Sequence, residues 1–346
     1  MVTIQLAKLP VKEFGRIQAF HRRVYGANSY QASNNYLQWL YVDNPFQDIA
    51  PTCLTAVTED GTVVGCIHIM CLGAEHDGRS LRIHSLQNLI VDEEYRAGMG
   101  IMMVKQAMKG ADIIVFPGVA QALASAYKAM KYPEANSFWG RKVLRPVGVA
   151  WGLLGERLGR YRKEMHIARH RIERIGRGAV EILTYPDDTI LDALATAIIK
   201  RDRMLQTMPI LWTVQALRWR FFSPCGPFHL LFLSADRQSF CIASLGLRRN
   251  VRVARLIEIA DSPQLSFSRQ VLGLLKSLGA ELSLSYAGRD AEKNTLVSLG
   301  YSEVPDTATS FVVGKIPLEW PLSLTSGATD VGLESINTIA VGFGRA

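Results

Sequence analysis

Apolar and polar positions along the chain follow two rhythms, and turn residues mark where one gives way to the other. Residues 3–7 are β-leaning. Over residues 11–25, Phe14, Ile17, Phe20 and Val24 recur three or four apart, the spacing of a helix with one buried face. Residues 34–43, bearing Trp39 and Tyr41, predict a second short helix. It stops at Asn44-Pro45, because the residue before a proline is pushed out of the helical region. Residues 52–57 and 63–70 read as strands joined at Asp60-Gly61, a hairpin signal. A turn is expected over 73–79 and a long strand over 81–91. A short strand over 113–116 ends at Pro117-Gly118, and a helix over 121–130 ends before Tyr132-Pro133.

The stretch 86–109, LQNLIVDEEYRAGMGIMMVKQAMK, organises this half. It begins apolar with Leu86, Leu89, Ile90 and Val91, turns through residues 92–96, and passes a glycine-bearing loop, Ala97-Gly98-Met99-Gly100. It leaves as a helix with Ile101, Val104 and Met108 on one face. Strand, glycine loop and helix can hold a phosphate: glycine lets the backbone approach, and the first free N–H groups of the helix point at the anion. The same pattern also describes a tight strand-to-helix turn with no ligand.

The second half repeats the first. A strand is expected over 180–184, and Asp187 or Asp188 caps a helix running to about Leu205. A hairpin is expected over 228–233 and 240–245, a central strand over 252–259 and a helix over 266–278. A strand over 282–286 and a last helix over 291–299 follow. Trp219-Arg220-Phe221 before Pro224 echoes Trp39-Leu40-Tyr41 before Pro45. The loop 260–265 has no glycine; Asp261 repels an anion and Pro263 lacks an N–H. Only the first copy is therefore expected to cradle a phosphate and to splay its central strands around a ligand.

Composition and charge narrow the reading. At 346 residues, with 48% hydrophobic and 20% charged, the chain has core material for two ordinary globular domains. No run approaches the roughly 18 apolar residues of a membrane span, and residues 1–14 hold no apolar signal-peptide core. Residues 151–177 hold eight Arg and Lys against three Glu, which is +5 of the net +8. A nucleic-acid-binding body is not expected. This basic segment reads as a solvated helix, with Leu153, Leu154, Leu158 and Tyr161 packed on a domain, or as a surface for peripheral contact with anionic lipid or a phosphorylated substrate. The cysteines (Cys53, Cys66, Cys71, Cys225, Cys241) form no CxxC pair and have no histidine at ligand spacing. They read as reduced, buried residues of a cytoplasmic protein, with no metal site.

Val91, Tyr95, Arg96, Gly98 and Gly100 resemble the Val-x-x-x-Tyr-Arg phrase and glycine loop of the GCN5-related N-acetyltransferase (GNAT) family. Tyr127-Lys128-Ala129-Met130-Lys131-Tyr132 stands where that family often has Tyr-x-x-x-Gly-Phe, with Lys131 in place of glycine. The family's usual loop is Gln or Arg, two residues, Gly, one residue, Gly or Ala. Here the glycines fall two and four places after Arg96. The resemblance covers about residues 1–145. It implies an α/β (α+β) protein of two tandem GNAT-like domains, each a mixed, mostly antiparallel sheet flanked by helices. The expected boundaries are 1–150 for the acetyl-CoA-binding domain and 151–179 for the basic linker. A second, degenerate GNAT-like domain spans 180–316, and a loosely attached tail 317–346. The tandem layout resembles acyltransferases of bacterial polysaccharide gene clusters and, more loosely, FemAB-like aminoacyl transferases.

The resemblance implies acetyl-CoA as co-substrate and an amine of a sugar or related small metabolite as acceptor, held between the domains. Asn88, Leu89, Ile90 and Val91 would hold the pantetheine arm. Arg96, Ala97, Gly98, Met99, Gly100 and Ile101 would hold the diphosphate. Tyr127 matches the family's proton donor to the leaving thiolate; its alternative role is a packed aromatic. The central strand has no Asp or Glu before Asp92. His84 is the candidate base, His68 the next, and a base from the second domain a third. A non-catalytic ligand-binding protein and an aminoacyl transferase remain the alternatives.

Overall fold

The sequence rhythms resolve into two sheets flanked by helices in a computed structural model. It describes residues 3–27, 29–48, 52–119, 121–135, 138–160, 162, 173–175, 180–204, 207–261, 265–288, 290–304 and 309–314. The chain begins with β1 (Ile4–Pro10), α1 (Phe14–Tyr25) and a short α2 (Asn34–Leu37), which a π-helical turn (Gln38–Val42) continues. Next come β2 (Thr52–Thr58), β3 (Val63–His76), β4 (Arg79–Val91), α3 (Arg96–Ala107), β5 (Ile113–Val119), α4 (Gln121–Ala129), β6 (Glu134–Ala135) and β7 (Phe138–Val143). After α5 (Pro146–Arg157) and β8 (Glu173–Ile175) the order recurs: β9 (Val180–Leu183), α6 (Asp188–Met204), α7 (Val214–Phe222), β10 (His229–Ser234), β11 (Phe240–Arg248) and β12 (Val251–Ala260). The chain ends its described part with α8 (Ser266–Ser277), β13 (Leu282–Ala287), α9 (Asp290–Ser298), β14 (Ser302–Glu303) and β15 (Thr309–Gly314).

One sheet has the order β1-β2-β3-β4-β5-β15-β6 and the other β14-β7-β13-β12-β11-β10-β9-β8. In each, a run of antiparallel strands meets one parallel neighbour, β5 beside β4 and β13 beside β12. β3 and β4 run on to a turn at Asp77-Gly78, both at positive φ, rather than turning at Gly73. Gly73 lies within β3, where a Cβ would stand 2.8 Å from the Phe46 ring.

The chain divides into two compact units, but not at the boundaries expected near 150, 180 and 316. The first comprises Met1–Ala135, Gln206–Leu211 and Ala308–Leu322; the second comprises Asn136–Leu205, Trp212–Thr307 and Ser323–Ala346. The reason is a reciprocal exchange of strands. β15, from the end of the chain, pairs antiparallel with β5 of the first sheet, Phe311 against Phe116. β7, from before the junction, pairs antiparallel with β13 of the second sheet, Tyr286 against Trp139.

In the first unit α3 packs Met99, Met103 and Val104 on Ile67, Leu86 and Ile114. In the second, Phe267, Val271 and Leu275 of α8 pack on Ala243, Ala254 and Leu256. α5 reverses the expected orientation of the basic segment. Its Gly148, Gly152 and Gly155 face inward; a Cβ on Gly152 would stand 2.6 Å from the Asn250 carbonyl oxygen. Leu153, Leu154 and Leu158 are exposed instead of packed, with Val147 and Trp151. Arg162 donates to Glu281 at 2.5 Å. Tyr161, residues 163–172 and the tail from 317 lie outside the described residues.

Candidate functional site

The site of the first unit is built on an irregularity in β4. The β3–β4 ladder pairs Cys66 with Ile90 but His68 with Gln87, so Asn88 and Leu89 together oppose Ile67. This is a β-bulge, and Asn88 takes φ 50° to make it. Asparagine tolerates the left-handed region, and here its side chain is clamped as well. Asn88 Nδ2 donates to the Tyr36 hydroxyl at 3.1 Å, while the Tyr30 hydroxyl and Gln31 Nε2 donate to Asn88 Oδ1 at 3.3 and 3.5 Å. Parallel pairing of β4 with β5 runs only from Ile83–Ile113 to Ser85–Val115. Beyond Ser85, the stretch Leu86 to Val91 has no ladder on that side among the described residues. Four residues expected to hold a pantetheine arm, Asn88 to Val91, line this splayed edge.

The glycine loop follows. A 3-10 turn (Glu93–Tyr95) leads into α3, which starts at Arg96 rather than after Gly100. Gly98 takes φ +77° in the first turn of α3, with nothing within 4 Å of where a Cβ would stand. No side chain caps this helix. Met99 is buried, Gly100 and Ile101 are half-buried, and the side chain of Ala97 lies outside the described residues. Arg96 Nε donates to the Val91 carbonyl at 3.1 Å, tying the loop to the end of β4, and Arg23 pairs with Asp92 just before it. Uncapped N–H groups beside an open glycine suit a diphosphate.

The equivalent helix of the second unit is closed. The N–H of Ser268 donates to Asp261 Oδ2 at 2.7 Å, so a carboxylate of the chain itself fills the anion position of α8. The second unit nonetheless splays, contrary to the expectation. The β11–β12 ladder shifts register between Ile242 and Ala243, which leaves Ile257 unopposed, and β12 pairs with β13 only from Val253 to Leu256. A cavity of about 590 Å³ opens there between α6, β12 and α9. Glu258, 1% exposed, lines it from the central strand. Arg201 Nη1 donates to Glu258 Oε2 at 3.1 Å and Nη2 lies 2.9 Å from Asp202 Oδ1. Burial pulls the Arg201 guanidinium toward losing its proton, but Glu258, Asp202 and Glu292 outweigh it and hold it above its ordinary range. The sequence left open a base from the second domain but gave no signal that singled out Glu258.

His84 is buried on the α3 side of β4, where Nδ1 donates to the Ala107 carbonyl at 2.8 Å, linking the strand to the end of the helix. Tyr127 is 1% exposed. Its ring lies among Phe116, Tyr132 and Phe311, with centroids 4.6, 5.6 and 5.5 Å away. Burial, then the neighbouring Tyr132, pushes its phenol further toward the protonated form. Lys131, in the family's glycine position, takes φ +58°, and Gly300 takes φ +84° at the matching place in the second unit. His21 of α1, distant in sequence, meets Cys66 and His68 of β3. The one local signal was Cys66-Ile67-His68, since residues two apart on a strand share a face.

No family model matches the chain, and no curated protein matches it. Solved structures do. The chain is similar to an N-myristoyltransferase of Saccharomyces cerevisiae with bound myristoyl-CoA and inhibitors, at TM-score 0.58 and 10% identity, covering 90% of this chain and 80% of that one. It is similar to a GCN5-related N-acetyltransferase of Anabaena variabilis, at TM-score 0.56 and 10% identity, covering 90% and 72%. A putative acetyltransferase of Pyrococcus horikoshii matches at TM-score 0.54 and 13% identity, covering 95% of both chains. The fold is GNAT-like and tandem: two mixed α/β units, each built on a bulged and splayed central strand. Among the described residues no helix is long and apolar enough to cross a membrane.

Proposed function

We propose that the protein is an acyl-CoA-dependent N-acyltransferase whose first unit binds acetyl-CoA and whose acceptor is an amine on a sugar or related small metabolite. The observation that carries this reading is the contrast between the two helix N-termini. α3 is uncapped and opens on Gly98, whereas α8 is stoppered by Asp261. The bulge at Asn88 supports the same assignment, because it turns backbone groups of β4 toward the splayed edge. Bound acetyl-CoA would supply the activated thioester. Residues of β4 would orient it, the first turn of α3 would hold its diphosphate, and Tyr127, held protonated, would give its proton to the departing thiolate. His84, engaged with Ala107, suits a positioning role better than that of base. The exposed apolar stripe of α5, Val147, Trp151, Leu154 and Leu158, in a segment that also exposes Arg157 and Arg160, supports a peripheral contact with an anionic lipid face. A cytoplasmic location fits the reduced cysteines.

The absence of Asp or Glu from β4 favours a second reading, a coenzyme-binding protein without turnover. A thermal-shift titration with acetyl-CoA tests the first step. At a hundred times its dissociation constant the ligand adds roughly 2.7 kcal/mol of stability. Gly98→Val should abolish most of that shift without unfolding the protein. There is space for the side chain, but φ +77° strains it by about 1–2 kcal/mol and re-aims the N–H groups. An unchanged shift in folded Gly98→Val removes the loop from the site. A shift without thiol release over a panel of amines selects the non-catalytic reading.

A further inference from the structure

In the first unit, α1 and β3 converge three metal-ligating groups on the sheet face opposite α3. His21 Nδ1 lies 2.6 Å from the Gln31 carbonyl oxygen. A carbonyl only accepts, so Nδ1 carries the ring proton and Nε2 is a bare lone pair. That Nε2 is buried and has no hydrogen-bond partner. His68 Nδ1 lies 2.9 Å from the Tyr41 hydroxyl, which can accept its proton and leave the second Nε2 bare; that Nε2 is 3.8 Å from Cys66 Sγ. The ligand atoms of His21, Cys66 and His68 all lie within 4.8 Å of one another, and Cys53 Sγ is 3.4 Å from Cys66 Sγ. All four residues are fully buried. A thiol has one proton and can serve only one of two facing lone pairs. A cation would serve both.

We propose that His21 Nε2, His68 Nε2 and Cys66 Sγ bind a borderline-soft divalent metal ion of the zinc type. Zinc bonds of about 2.3 Å to sulfur and 2.0–2.1 Å to nitrogen place tetrahedral S and N ligands about 3.5 Å apart, close to the Cys66–His68 separation. Two imidazoles and thiolate sulfur select zinc over magnesium or calcium. Gln31 and Tyr41 would act as the outer partners that fix each ring's tautomer, the usual arrangement around a ligating histidine. Burial, and for His68 the neighbouring His21 as well, depresses both imidazoles, so they stay neutral as ligands must. Burial, then Cys53, raises the Cys66 thiol, so forming the metal–sulfur bond releases its proton to solvent. The ion would enter while the unit folds, since the cluster is closed to solvent afterwards. Its place beneath β3 makes it structural, a clamp of α1 on the sheet.

The experiment uses the full chain, expressed with zinc, passed through metal-free buffer and assayed for metal by plasma mass spectrometry. The expected result is one zinc per chain, with X-ray absorption showing two nitrogen and one or two sulfur neighbours. Cys66→Ala and His21→Gln should lose it, while Cys241→Ala in the second unit keeps it. Folded wild-type protein without zinc, even after refolding in excess zinc, overturns the site. So does zinc retained by both ligand variants, or recovery of a Cys53–Cys66 disulfide by mapping after thiol blocking. Should the ligand variants fail to fold, the neighbours seen by X-ray absorption on wild type decide alone: an oxygen shell, or sulfur absent, rejects the assignment. The measurement reads metal and not turnover, so it leaves the acyltransferase reading independent.

Discussion

Replacing Arg201 by methionine should destabilise the second unit more than any single surface change. Arg201 is only 16% exposed in its ion pairs, and the two carboxylates it neutralises, Asp202 and Glu258, are each 1% exposed. Methionine matches the length of the arginine stem but brings no charge, so both carboxylates lose the Arg201 contact, and the Ile259 carbonyl loses a donor at 3.1 Å. Removing one partner of a buried pair costs about 3–5 kcal/mol. In a domain of roughly 150–250 residues, where 1 kcal/mol moves the midpoint by about 2–4 °C, the melting temperature should fall by about 6–20 °C. Urea and thermal unfolding by circular dichroism at pH 7 measure the loss. Adding Glu258→Gln to Arg201→Met should recover part of the loss, since it removes one of the two buried negative charges. An Arg201→Met protein within about 1 kcal/mol of wild type at pH 7 refutes the reasoning.

Lys131→Gly should stabilise the first unit by about 0.5–1 kcal/mol, because glycine takes φ +58° without the Cβ strain and the lysine side chain is exposed; a melting temperature at or below wild type rejects this. Tyr127→Phe should lower turnover by roughly a hundred-fold if the phenol protonates the thiolate, with coenzyme affinity unchanged. A wild-type turnover number for folded Tyr127→Phe would leave Tyr127 only its packing role.

The parts of the fold legible in the sequence are those with local signatures. The hairpin at Asp60-Gly61, the helix through Phe14, Ile17 and Phe20, and the strand-loop-helix around Gly98 each carry their rhythm within a dozen residues. The repeat was legible too, because each copy keeps its own turns. β7 and β15 were not. Phe138-Trp139-Gly140-Arg141-Lys142-Val143 reads as a broken, charged segment, and its pattern makes sense only beside partners far along the chain. Gly140 is there because a Cβ would meet the Phe138 and Tyr301 rings at 2.7 and 3.1 Å. Of the candidate site, the strand-to-helix turn around Gly98 was readable from the local sequence. The left-handed Asn88 was not, since only its clamp by Tyr30, Gln31 and Tyr36 shows why an asparagine stands there. Glu258 and the His21–Cys66–His68 cluster escaped for the same reason: each is made by long-range packing.

The exchanged strands bear on how the protein is made. β5 is a buried apolar strand, Ile113 to Phe116 all nearly inaccessible, and the neighbour that covers its outer edge includes Ser310, 192 positions beyond Gly118. During synthesis the first sheet therefore leaves the ribosome with that edge bare. It stays so until almost the whole described chain has emerged. An unpaired apolar edge is a template for other strands. The nascent chain is thus exposed to intermolecular pairing for most of its translation, and chaperone binding at β5 is the natural protection. The same topology means that stopping translation anywhere before residue 309 yields a first sheet that cannot close, however complete its sequence looks.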